Sequence, residues 1–147
     1  MSERVEACVD GELEELPRDE CFELLRSRPV GRLAVSLTGR APLVVPVNFV
    51  VDGDDIVFQS YAGTKLTALR DQPVSFQVDE IDPWRRTGWS VLVEGAASEV
   101  PPADIDHLSV EPWAAGDDPQ AVRIVPTLVS GRRIRPPDVP IDPRGYL

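Results

Sequence analysis

From Gly31 to Ser60 the chain alternates apolar with small or polar residues through GRLAVSL, PLVVPVNFVV and DIVFQS, with Thr38-Gly39 and Asp52-Gly53 between the runs. Alternation at every second position is the pattern of strands with one buried face, and turn signals this closely spaced permit only hairpins. Consecutive strands must therefore run antiparallel, because a parallel pair needs a crossover of a dozen or more residues. Two further strand patterns, VSFQVDEI and WSVLVEGAASEV, flank the polar loop DPWRRTG, and AVRIVPTLVSGRRI makes a sixth. Gly95 marks a bulge or close approach in the fifth strand, and Pro126 interrupts the last.

Helical patterns are few. PRDECFELLRSR places Cys21, Leu24 and Leu25 on one side and is ended by Pro29, and a shorter pattern runs from Gly63 to Asp71 with Leu66 and Leu69 three apart. Segment 103–119 reads as loop or short helix. Six antiparallel strands with few helices predict a mainly β fold, a small closed barrel. Its interior is filled by its own side chains, so a ligand must sit at a mouth or between two subunits. Residues 1–16 are expected to be an acidic, loose N-terminal arm, 17–135 the barrel domain, and 136–147 a proline-rich, irregular tail.

At 147 residues the chain is sized for one domain. No apolar run approaches the roughly 20 residues that span a bilayer, and the acidic start lacks the basic and apolar regions of a secretion signal. No membrane association and a cytoplasmic location are expected. A net charge of −10 argues against nucleic acid, which is held largely by Lys and Arg on phosphates. Cys8 and Cys21 form no CxxC and there is one histidine, so the usual zinc and dithiol patterns are absent and both thiols read as reduced.

In PLVVPVNFVV the odd positions Leu43 to Val51 face one way and Val44, Pro46, Asn48 and Val50 the other; both sets are apolar, so the strand should be covered twice. Pro46 cannot donate to a ladder and belongs at an edge or bulge, and Asn48 needs a partner, either backbone or a ligand reaching the freed edge. Gln59, Ser60 and Gln77 suit the edges of a polar heterocycle and its hydroxylated tail, or a solvated sheet face. Beyond Ser60 comes AGTKL, holding the single lysine, Lys65, against fourteen arginines. Gly63, the Thr64 hydroxyl and the Lys65 charge at a helix start suit a terminal phosphate. The spacing is not that of a Walker loop.

Trp84, Arg85 and Arg86 precede Trp89-Ser90, where a tryptophan could be core, interface or a wall for a flat ring. Asp79, Glu80 and Asp82 read as a solvated turn more readily than a metal site, and His107 has no evident role. No nucleophile–base or paired-carboxylate spacing stands out, which argues against residue-driven hydrolysis.

The ordered strings VGRLAV, PVNFVVDGDDIVFQSYAGTKL, VSFQVDEID, WSVLVEGAASEV and VRIVPTLVSGRRI resemble the pyridoxamine 5′-phosphate oxidase-like proteins, over about residues 18–135. The resemblance implies a six-stranded Greek-key split β-barrel that forms a homodimer, with FMN, or alternatively the deazaflavin coenzyme F-420, at the subunit interface. It implies Pro46, Val47 and Asn48 against the isoalloxazine ring, Gln59 and Ser60 at the ribityl or phosphate region, Thr64 and Lys65 on the phosphate, and Trp89 and Ser90 from the neighbouring subunit. It does not imply oxidation of pyridoxamine phosphate itself, since PPDVPIDPRGYL lacks recognisable basic residues for that substrate's phosphate.

Two functions follow as expectations. One is a flavin- or deazaflavin-dependent oxidoreductase acting on a small-molecule redox substrate, with hydride carried by the cofactor and no catalytic side chain. The other is a module that binds the same cofactor for storage or sensing without turnover. Haem binding is weaker, because His107 is the one imidazole.

Overall fold

Hairpin chemistry sets the path of the chain. In the computed structural model, which describes residues 11–60, 70–108, 110 and 120–136, the strands are β1 Glu12–Leu16, β2 Val30–Val35, β3 Leu43–Asp52, β4 Asp55–Ser60, β5 Arg70–Asp82, β6 Thr87–Val100 and β7 Gln120–Arg135. Helix α1 covers Arg18–Arg26, and a single 3-10 turn covers Pro102–Ile105. Gly53 opens the β3–β4 loop at φ +61°, a left-handed value that glycine adopts without the Cβ penalty. The pair Asp52↔Asp55 closes that loop.

The sheet order is β1-β7-β4-β3-β2-β5-β6, and β6 pairs with β7 to close six strands into an antiparallel barrel. The closing ladder contains the expected bulge. Its register shifts between Glu94 and Gly95, opposite Pro126, and Thr127 Oγ1 donates to the Glu94 carbonyl at 3.2 Å. A Cβ on Gly95 would strike the Val125 carbonyl, so a close approach and a bulge coincide there.

Residues 12–16, expected to lie in a loose arm, instead form β1 against Gly131–Arg135 of β7. Charge accounts for this: the acidic ELEEL segment lies along a basic one, with Arg135 reaching Glu14 at 3.3 Å and, more loosely, Glu12 at 4.0 Å. Arg70 and Asp71, expected to end a helix, begin β5; the rest of that helix pattern lies outside the described residues. So do residues 1–10, with Cys8, and most of the tail.

The barrel interior is built from the inward positions of β2 to β7, among them Leu33, Phe49, Phe58, Phe76, Val78, Val91 and Ile124, each at most 5% exposed. Phe49 meets Phe76 edge-on with centroids 4.9 Å apart. The Phe76 ring stands over Gly31, where a Cβ would overlap it. Helix α1 seals one end with buried Cys21, Phe22 and Leu25, and Arg18 and Arg26 both lie over the Phe22 ring. Burial, then the nearby Glu20 carboxylate, raises the Cys21 thiol above its ordinary value of 9.0, which suits an inert packing thiol. Arg133 ties β7 to the helix through Glu20 at 2.6 Å.

A second, smaller cluster of Val57, Ile105 and Ala121, joined by Val50, covers the outside of β3, β4 and β7 beneath the 3-10 turn. Among the described residues no helix is long and apolar enough to cross a membrane.

Candidate functional site

Strand β3 changes partner halfway along its length. Leu43 to Asn48 pair with β2, and Phe49 to Asp52 pair with β4. The β3–β4 ladder stops at Phe49↔Phe58, while the next residues of β4, Gln59 and Ser60, pair with Ala121 and Gln120 of β7. A slit therefore opens between Val47-Asn48 on one side and Gln59-Ser60 on the other. The structure thus brings together four of the expected site residues and puts Pro46 on the strand just before the slit. Thr64 and Lys65, expected on a phosphate, lie outside the described residues.

Pro46 does sit where one flank of β3 is unpaired, as its missing N–H requires. Asn48 donates from Nδ2 to the Pro29 carbonyl at 3.5 Å, beside the bond from the Phe49 N–H to the same oxygen at 3.2 Å. Its partner is thus partly backbone. The expectation that β3 is covered on both faces holds at Val50 but fails at Val44, which is 60% exposed, and at Pro46, also exposed. Among the described residues nothing lies over that stretch, because the 3-10 turn reaches only the far half.

Next to Pro46, on the same outward face, the sequence concealed a polar cluster. Arg32 is the cross-strand partner of both Pro46 and Gln77. Its Nη1 donates to Gln77 Oε1 at 3.3 Å and to Asp79 Oδ1 at 3.2 Å, and Gln77 Nε2 donates to Asp79 Oδ2 at 3.2 Å. Outward alternation around Leu33 and Phe76 is the signal that could have grouped these residues. The remaining acidic residues are also engaged: Glu80 pairs with Arg28, and Asp82 Oδ1 accepts from the Trp84 and Arg85 N–H groups at 3.0 and 3.1 Å. Among the described residues no cluster has the makings of a metal site.

Trp89 and Ser90 separate. Trp89 packs partly into the core and lines an end cleft of about 580 Å³ with Glu80, Ile81, Arg133 and Ile134. Ser90 has the opposite parity and is the cross-strand partner of Asp79, so it shares the outward face with Pro46 and Arg32. Two strands, β2 and β5, intervene, and three strand spacings place β3 and β6 about 14 Å apart along the sheet. Trp84, at the tip of the β5–β6 hairpin, is 94% exposed.

Sequence reasoning passed over Gln120. It is the register partner of Ser60, and its Oε1 is buried with no hydrogen-bond partner among the described residues. A slit flanked by amides and continued by the exposed Val44 and Pro46 suits a ligand with a flat apolar part and hydrogen-bonding edges, as a flavin has.

Comparison with known proteins gives the same direction. The family model described as pyridoxamine 5′-phosphate oxidase matches residues 17–133. An uncharacterized protein of Mycobacterium tuberculosis, Rv0080, is 37% identical over 134 residues, covering 84% of this chain and 86% of that one. Among solved structures, the FAD binding protein from Mycobacterium smegmatis is 32% identical with a TM-score of 0.71, covering 83% of this chain and 100% of its own. A FAD-binding protein from Mesorhizobium loti is 29% identical with a TM-score of 0.71, covering 85% and 98%. With the matched span running from the cap of α1 into the end of β7, the chain belongs to the pyridoxamine 5′-phosphate oxidase family.

Proposed function

We propose that this protein binds a flavin across the β3–β4 slit and acts as a flavin-dependent oxidoreductase on a small-molecule substrate. The observation that carries the reading is the slit itself, flanked by Asn48 and Gln59 and continued by the exposed Val44 and Pro46, in a member of this family. The bound flavin would supply hydride transfer at its ring. The chain's part is to bind, orient and exclude water: Pro46 and Val47 offer an apolar wall, Asn48 and Gln59 offer amides, and Thr64 and Lys65 are assigned to the phosphate. FMN is the cofactor proposed, with the deazaflavin coenzyme F-420 as the alternative; the names of two relatives add FAD to the comparison.

The cofactor is proposed to sit between two copies of the chain. Pro46 and Ser90 share the outward face with two strands between them. A second copy is proposed to cover the exposed Val44 and Pro46, with its Trp89 and Ser90 reaching the cofactor. Isologous dimers are the commonest way for a chain to cover such a patch.

Fluorescence and absorbance titration with FMN, FAD and coenzyme F-420 is the direct test. Saturable binding of one of them, with Lys65→Ala weakening the phosphate-bearing ligand by about tenfold or more, is the expected result. Colourless protein that binds none of the three refutes the reading. Binding without turnover is the second reading, favoured by the engagement of Asp79, Glu80 and Asp82 in hydrogen bonds or ion pairs, which leaves no evident acid or base among them. Stopped-flow oxidation of the reduced, bound cofactor by candidate acceptors separates the two.

A further inference from the structure

We infer that β1 is an ionic strap: a strand fastened to the end of β7 mainly by charge, which opens as a unit while the barrel beneath it stays closed. Its opening exposes the β7 edge beside the end cleft. The inference stands apart from the flavin reading above.

Packing contributes little to the hold of β1. Of its five residues only Leu16 is buried, whereas Leu13 is 60% exposed. Its ladder joins it to β7 on one flank, and in the sheet order it is the outermost strand, with no neighbour on the other flank among the described residues. A short edge strand with few buried contacts is the kind of element that opens locally, well before the whole domain unfolds.

Charge supplies what packing does not. Three of the five residues are glutamates, and the register sets each of them opposite an arginine: Glu12 faces Arg135, Glu14 faces Arg133 and Glu15 faces Arg132. Opposite charges across a ladder attract, and like charges repel. Arg135 closes on Glu14 at 3.3 Å, while Arg133 is held by Glu20 of α1 at 2.6 Å. With β1 away, three arginines would stand close together on one strand, with Glu20 the one carboxylate still paired to them among the described residues. One end of the strap is anchored. At Gly131, where a Cβ would strike Cys21 Sγ and press on Leu16, strand, helix and β7 meet, so opening runs from Glu12 towards Leu16.

The strap borders the end cleft. Leu13 stands opposite Ile134, which lines that cleft with Arg133 and Trp89. Opening bares one flank of Arg133 and Ile134 and leaves this wall of the cleft held through β6 alone.

Residue-resolved hydrogen exchange of the full chain by NMR is the test, at about 20 mM and about 0.5 M sodium chloride, which shortens the Debye length from roughly 20 to roughly 4 Å. The end of β7 carries its own internal control. Gly131–Arg135 pairs with β1 on one flank and β6 on the other, and successive residues of an antiparallel ladder turn their N–H groups to opposite flanks. Amides that face β1 should exchange about fivefold or more faster at high salt, while those that face β6 stay within about twofold. In a Glu12→Gln, Glu14→Gln double variant the β1-facing amides should already exchange fast at low salt and respond to salt by no more than about twofold.

β1-facing amides that keep their low-salt rates at high salt overturn the ionic fastening. So does a double variant that exchanges as slowly as the parent protein. Equal acceleration on both flanks overturns the separate opening, because the barrel end would then be loosening as one piece.

Discussion

The two halves of β3 are nearly alike in composition and unlike in fate. Leu43–Asn48 and Phe49–Asp52 are both rich in valine and both pair on one flank only, yet the outward side chains are covered in the second half and exposed at Val44 and Pro46 in the first. Phe49 is wedged against Phe76, Val50 lies beneath the 3-10 turn, and Asp52 is held by Arg123 at 2.8 Å. Val44 and Pro46 meet nothing comparable. An apolar pattern specifies that a face must be covered, but not whether the covering group comes from the same chain. Where the chain declines to cover it, the exposed surface is the place to look for a ligand or a second copy.

Three substitutions test how deep this contrast runs. Phe49→Ala should cost about 3–5 kcal/mol in chemical unfolding, since a large ring leaves a cavity beside Phe76 that a closed barrel cannot collapse. A loss near that expected of a surface change would mean that the enclosed half is looser than its burial indicates. Arg123→Met should cost about 1–3 kcal/mol. It removes a guanidinium that forks to Asp52 and to Asp55 at 3.1 Å, and leaves those two carboxylates facing one another across the hairpin. The Asp52 hydrogen bond raises the Arg123 pKa above its ordinary range, so the guanidinium keeps its charge and this ion pair is not lost through the arginine. High salt should narrow the difference only slightly, because all three side chains are at most 31% exposed.

Val44→Asp, in the bare half, should leave the unfolding free energy of the single chain within about 0.5 kcal/mol. Sedimentation should nevertheless show the proposed dimer dissociating at concentrations where the parent protein stays paired. Unchanged sedimentation would remove the second copy from this face.

The hairpins were legible in the sequence because local alternation and turn residues carry that information, and β4 begins and ends where DIVFQS does. The bulge at Gly95 and the edge placement of Pro46 were legible for the same reason, since each follows from what one residue's backbone can do. β1 was not, because ELEEL becomes a strand only when the basic end of β7, at the other end of the chain, lies beside it. Within the site, Asn48 and Gln59 could be singled out as amides in apolar runs. Arg32, Asp79 and Gln120 could not, since their meaning depends on cross-strand neighbours and on burial. The phosphate corner at Thr64 and Lys65 still rests on the sequence alone.

The role of β7 bears on how this chain reaches its fold. It pairs with β1, β4 and β6, and its register with β1 joins Glu12 to Arg135, almost the full span of the domain. Until those last residues exist, β1 has no partner, β4 has one open flank and the barrel cannot close. Loop-closure entropy has to be met before these pairings return anything, so folding should be slow and all-or-none, with closure by β7 as its late step. During synthesis the hairpins would wait as a curved, unfinished sheet. A chain cut short within β7 would then be an open sheet exposing its core, not a smaller barrel.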